Sequence, residues 1–159
     1  DNVVLEGYYP KGYRPYKEFI GTYSFSWTDY AGENQSVVAT LKPLVENRSF
    51  IISGTLPFDY VMTYDRSTGR IYVTSHLVRD LGTLSLHILN WTGGTSLDVG
   101  TDLKYFGEDD EHLTNPTLTF KSNSPGSSHI GYVLIIMENN AYYLYSAEAF
   151  FSNVVMKKQ

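Results

Sequence analysis

At 159 residues, with 42% hydrophobic content and no cysteine, the chain is long enough to bury one core without metals or disulfides, and thiolate catalysis and cysteine-zinc sites are excluded. A formal net charge of −5, with the 12 Lys and Arg scattered along the sequence, argues against a nucleic-acid partner and against adsorption to an anionic membrane. No stretch approaches the roughly eighteen unbroken apolar residues of a membrane span.

The first 17 residues, "DNVVLEGYYPKGYRPYK", combine Pro10, Pro15, Gly7 and Gly12 with four tyrosines. Pro and Gly at that density break helices and central strands, so residues 1–17 read as an extended lead-in and 18–159 as a single β domain. In "EFIGTYSFSWTD" large residues recur at every second position. Tyr23, Phe25 and Trp27 share one side and Thr22, Ser24, Ser26 and Thr28 the other, the period of a half-buried strand. Further strand signals follow in "SVVATL", "SFIIS", "YVMTY", "RIYVTS", "TLSLHILNW", "TLTFKS", "YVLIIM", "YYLYSA" and "FFSNVVMK". The predicted class is all-β: an antiparallel up-and-down barrel, or alternatively a two-sheet β-sandwich. His76 to Leu81 has room for one helical turn at most.

Two hairpins are specified closely. In "YVLIIMENNAYYLYSA", Asn139-Asn140 tolerate the positive φ of a type I′ turn, which sets Glu138 opposite Ala141 and Ile136 opposite Tyr143. In "YVMTYDRSTGRIYVTS", Asp65 closes an Asx-turn and Gly69 supplies a left-handed residue. The strand of the first hairpin is apolar on both faces, Tyr132 and Leu134 on one and Val133, Ile135 and Met137 on the other. Its second face therefore needs a cover: a facing sheet, the lead-in, a partner subunit or a ligand.

Catalytic signatures are absent from the sequence: no G-x-S-x-G elbow, no His spacing for zinc, no phosphate loop. Ser127-Ser128-His129 reads as a polar loop entering a strand, and Gly93-Gly94 as a turn. His87 shares a strand face with Thr83, Ser85, Leu89 and Trp91, the placing of a hydrogen-bonded strand residue. The acidic run "GEDDEH", with Glu108, Asp109 and Asp110, is the candidate for a hard cation, against the reading of a solvated loop. No cofactor is implied. What remains is recognition by aromatics, which make up 15% of the chain with 14 tyrosines. Tyr30, Trp91, Tyr105 and Phe106 sit at strand ends, where β domains commonly bind, while Tyr23, Phe25 and Trp27 form either core or the lining of a cavity.

The stretch "EFIGTY" resembles the first strand of calycins, the lipocalin and fatty-acid-binding superfamily, whose pattern is Gly-x-Trp after an aromatic; Tyr23 stands at the Trp position. "GTYSFSWTDYAGENQSV" and "YDRSTGRIYVTS" are similar to small β domains of surface lipoproteins from Bacteroides-type bacteria, some described as lipid-binding or as hydrolases. The resemblance implies a secreted, cell-surface or periplasmic protein, anchored at the outer membrane through an N-terminal lipid upstream of Asp1. It implies a non-catalytic domain taking a lipid-like or other apolar small molecule. The residues leave open a glycan-binding surface built on exposed aromatics, a hydrolase, and a purely structural or adhesive domain.

Overall fold

The computed structural model describes residues 13–91, 105–109, 117–122 and 131–159. A 3-10 turn, Tyr16–Phe19, precedes β1 (Gly21–Thr28), β2 (Asn34–Val45), β3 (Ser49–Ser53), β4 (Tyr60–Asp65) and β5 (Arg70–Val73). Then come β6 (His76–Asp80), β7 (Ser85–Trp91), β8 (Tyr105–Asp109) and β9 (Thr117–Ser122). β10 (Gly131–Glu138), β11 (Ala141–Leu144) and β12 (Phe150–Lys158) complete one strongly curled antiparallel sheet. The all-β class is as the sequence predicts. Residues 76–80, expected to make at most a helical turn, are instead the strand β6. Arg79 and Asp80 pair there with Leu86 and Ser85, and no helix-period stripe competes with that ladder.

Both predicted hairpins form. Asn139 and Asn140 take φ of 51° and 65°, and Glu138 faces Ala141 with Ile136 facing Tyr143. The Asp65 carboxylate accepts the Ser67 N–H at 3.0 Å, and Gly69 has φ 68°.

Following the pairings from β1 through β2, β3, β4, β5, β8, β9 and β12 leads back to β1, so eight antiparallel strands close into a ring. The ring has a forked wall. β12 gives one edge to β1 and divides the other, with residues 150–152 pairing β10 and residues 155–157 pairing β9. Asn153, at φ 50°, turns the strand at the division. On the far side of the fork, β5 pairs β8, while β6, next along the chain, pairs β7. The wall thus consists of β8–β9 at one height and β7–β10 at the other. At Gly131 an added Cβ would lie 1.9 Å from the Phe151 carbonyl oxygen, which is why a side chain is missing where β10 meets β12.

β6 is tied to β4 by a side chain. Val61 N–H donates to His76 Nε2 at 3.1 Å, so the ring proton sits on Nδ1 and is donated to the Thr74 carbonyl at 2.8 Å. His76 thereby satisfies a backbone donor that β5 no longer reaches, and burial holds its pKa below the usual histidine value.

The interior is filled by aromatics. Tyr23, Phe25 and Phe151 are fully buried and Trp27 nearly so. Trp27 lies 5.0 Å from Phe151, which stacks on Tyr132 at 4.9 Å. Tyr60 and Tyr132 share a hydrogen bond of 2.7 Å between their hydroxyls, and Thr55 Oγ1 donates to Tyr60 at 3.1 Å. Burial pushes the Tyr60 pKa up to about 12.

The two ends of the ring differ. At the end bearing the β2–β3 and β4–β5 turns, Tyr16, Phe19, Phe50 and Tyr64 form a buried aromatic plug. Tyr16 donates its hydroxyl to the Ser49 carbonyl at 2.6 Å, Tyr64 to that of Arg14 at 2.7 Å, and Tyr23 to that of Phe19. At the end bearing the β3–β4 loop and the β6–β7 turn, closure falls to the partly buried Leu56, Phe58, Val78, Leu84, Ile136 and Tyr145.

Candidate functional site

Alternation sorts β7 and β10 onto two faces. Leu86, Ile88, Tyr132 and Leu134 point into the main core, so Ser85, His87, Leu89, Val133, Ile135 and Met137 lie on the outer face. Both faces of β10 are therefore covered, as its sequence requires. Val133, Ile135, Leu89 and Phe150 form a second buried cluster, with Met137 and Leu144 packed against it.

Register then assembles a row across four strands on that outer face. Asp80 faces Ser85, Ser85 faces Met137, and Met137 faces Tyr142. A parallel row runs Leu77, His87, Ile135, Leu144. With strands roughly 4.8 Å apart, Asp80 and Tyr142 stand about 14 Å from one another. Ser85 Oγ lies 2.9 Å from His87 Nε2. Burial lowers the His87 pKa and the nearby Asp80 carboxylate opposes that shift, so the imidazole is neutral at neutral pH and offers both a donor and an acceptor. Tyr142 is 44% exposed. The face thus combines hydroxyl, imidazole and carboxylate groups with a solvent-accessible ring.

Tyr30 lies beside the same cluster. Its ring meets Phe150 edge-on at 5.6 Å and its N–H donates to the Ala147 carbonyl, yet it is 59% exposed. Asp29 holds this turn: its carboxylate accepts the N–H groups of Ala31 and Glu33 and the Gln35 side chain. These bonds, the Gln35 one foremost, keep its pKa below the ordinary aspartate value. Trp27 Nε1 donates to the Glu148 carbonyl at 3.1 Å, pinning residues 145–149 over the end of β1.

The other predicted site residues fall elsewhere. Tyr23, Phe25 and Trp27 pack on the core and on one another. Trp91 ends β7 opposite Gly131, and Tyr105 and Phe106 open β8 opposite Val73 and Tyr72, which brings all three to the fork. Glu108 and Asp109 end β8 opposite Thr119 and Leu118. Asp110, the rest of the acidic run, Gly93-Gly94 and Ser127-Ser128-His129 lie outside the described residues. Among the described residues no three His, Asp or Glu side chains converge on a metal position. Sequence reasoning placed Ser85 and His87 on one face but missed Asp80, Met137 and Tyr142. The hairpin register held Met137 and Tyr142 together; the pairing of β7 with β10 was the missing link.

The model of the family DUF4987, a domain of unknown function, matches residues 1–136. The chain belongs to this family. The DUF4987 match ends within β10 and so covers Asp80, Ser85 and His87 but stops short of Met137, Tyr142 and β12. No curated protein and no solved structure matches the chain.

Proposed function

We infer that this DUF4987 domain is a non-catalytic binding module whose ligand is a neutral glycan, held on the outer face of β6, β7, β10 and β11. The observation that carries this reading is where the aromatics are wet. Tyr23, Phe25 and Trp27 are dry and fill the ring with their own bulk, whereas Tyr142 is exposed at the opposite end of the row from Asp80, with Met137 and Ser85 between them, and Tyr30 is exposed over Phe150. A tyrosine ring stacks on the apolar face of a sugar, and carboxylate, hydroxyl and imidazole groups exchange hydrogen bonds with its hydroxyls. The row is the length of a short oligosaccharide. A glycan array followed by titration calorimetry tests it: Tyr142→Ala and Asp80→Asn should each abolish or strongly weaken binding while the fold survives. Binding unchanged in both variants would overturn the site. Ser85→Ala, assayed beside them with ester substrates, separates binding from the nucleophilic use of a serine–histidine pair; a hydrolysis lost in that variant would replace the binding reading with an enzymatic one.

A second reading has its own support. Leu56, Phe58 and Tyr145 remain partly exposed over the core, and the Arg79 guanidinium lies 5.0 Å above the Phe58 ring. This mouth suits a lipid-like or other apolar small molecule, and an eight-stranded ring plugged at one end by a 3-10 turn is in keeping with a calycin-like barrel. Native mass spectrometry of gently purified protein would find a co-purifying lipid under this reading and a bare mass under the first. Either reading fits a domain displayed at a bacterial surface or in the periplasm, with a lipid anchor upstream.

A further inference from the structure

The fold sorts charge by end, which net charge conceals. Around the mouth stand Asp29, Glu33, Asp59, Asp80, Glu138 and Glu148, with Arg79 as the cation among the described residues there. At the plugged end Lys17, Lys42, Arg48, Arg66 and Lys157 are all exposed. With the less exposed Arg14, Arg70 and Lys158 the described cations at this end number eight, against five described acids that are partly committed. Glu18 pairs with Arg14 at 2.6 Å, and Asp65 is bonded to Ser67 within its own turn. Glu46 sits in the β2–β3 turn, and Glu108 and Asp109 run toward this end on β8, which lies three strands around the ring from β3.

The same end carries an apolar apex. β1 pairs with β2 only as far as Leu41, but β3 goes on pairing with it through Val45, so residues 42–45 project past β1. Leu44 and Val45 are each 48% exposed at that tip, with Lys42 and Arg48 on either side of them in the chain. The tip is braced: Arg48 N–H donates to the Val45 carbonyl at 2.9 Å, and its own carbonyl accepts the Tyr64 N–H at 2.8 Å.

We propose that the plugged end docks on an anionic phospholipid surface, with Leu44 and Val45 entering the headgroup boundary while Lys42, Arg48, Arg66 and Lys17 meet lipid phosphates. A braced aliphatic tip flanked by cations has both parts of an interfacial anchor, apolar area and electrostatic attraction. Exposed aliphatic side chains gain nothing from a purely acidic polypeptide, which is why the lipid surface is the favoured partner. The expectation drawn from net charge, that the chain avoids anionic membranes, is reversed by where the charges stand. This surface lies at the opposite end from the glycan-binding face and does not depend on it.

Vesicle flotation with the full chain tests the proposal, using phosphatidylcholine vesicles with and without about a third phosphatidylglycerol. Binding should require the anionic lipid and should vanish at about 0.5 M salt, where screening is nearly complete. Lys42→Gln and Arg48→Gln should each lower partitioning roughly fivefold. Leu44→Ser with Val45→Ser should lower it further, and Asp59→Asn at the mouth should leave it unchanged. All of these positions are exposed, and circular dichroism checks that each variant folds. No binding to phosphatidylglycerol vesicles at low salt would overturn the proposal, as would binding insensitive to Lys42 and Arg48. Capture of polyglutamate through the same lysine and arginine, without vesicle binding, would replace the lipid with an acidic protein.

Discussion

The two ends of the ring are built from similar residues and do different things with them. At the plugged end four aromatic side chains are buried, and the tyrosine hydroxyls each donate to a backbone carbonyl. At the mouth, Phe58 and Tyr145 meet edge-on at 6.1 Å but stay partly in water. What separates the ends is a covering segment. Residues 13–19 cross the first, with Arg14 N–H donating to the Gly69 carbonyl, whereas the β3–β4 loop covers the second only in part. Stability is concentrated where chain overlies chain, and surface free for recognition is left where it does not.

That contrast can be broken most directly by truncation. Phe50→Ala empties the plug and should cost about 3–5 kcal/mol in urea denaturation; a loss below about 1 kcal/mol would mean that the plug is not what holds this end. Tyr60→Phe strips one hydroxyl from the pair between the ends and removes the buried bonds it makes to Tyr132 and Thr55, for an expected loss of about 1–3 kcal/mol. Acid probes the mouth side through His76. Its folded pKa lies below the 6.5 of a free imidazole, so the unfolded chain takes up the proton first. Stability is then complete above about pH 6.5 and declines as pH falls from there toward the depressed value. Melting temperatures across pH 5 to 8 should show that decline, and His76→Asn should make it shallower. Asp29, also depressed, acts only in the more acidic carboxylate range, whereas His87, lowered by burial like His76, adds to the same decline, so the His76 share is the part that His76→Asn removes. The smallest effect belongs to Phe58→Ala, about 1 kcal/mol or less, because its ring is already partly solvated. A loss as large as that of Phe50→Ala would erase the difference between the ends.

Local features were legible in the sequence. The alternation from Tyr23 to Trp27, the positive φ at Asn139 and Asn140 and the Asx-turn at Asp65 each depend on a few adjacent residues, and each is present. The doubly apolar β10 announced that both its faces are covered. The fork was not legible, because nothing within "FFSNVVMK" says that its edge is divided between two partners. Nor was the row from Asp80 to Tyr142, whose members come from four strands and meet only through pairings made elsewhere. Charge behaved likewise: a total of −5 conveys nothing of which turns carry the lysines and arginines.

β12 carries a consequence for how the protein is made. The last strand is the one that closes the ring against the first, and Gln159 N–H still donates to the Thr22 carbonyl at 2.9 Å. During synthesis β1 must therefore wait, with one edge open, until more than a hundred residues have left the ribosome, which marks a slow folder exposed to edge-to-edge association. The same adjacency suggests a remedy. Joining residue 159 to residue 13, which keeps Arg14 over the plug, and opening the chain at Gly82, a glycine with no neighbour within 4 Å of an added Cβ, would bring β12 and β1 together in sequence and let the ring begin with the pair it now completes last.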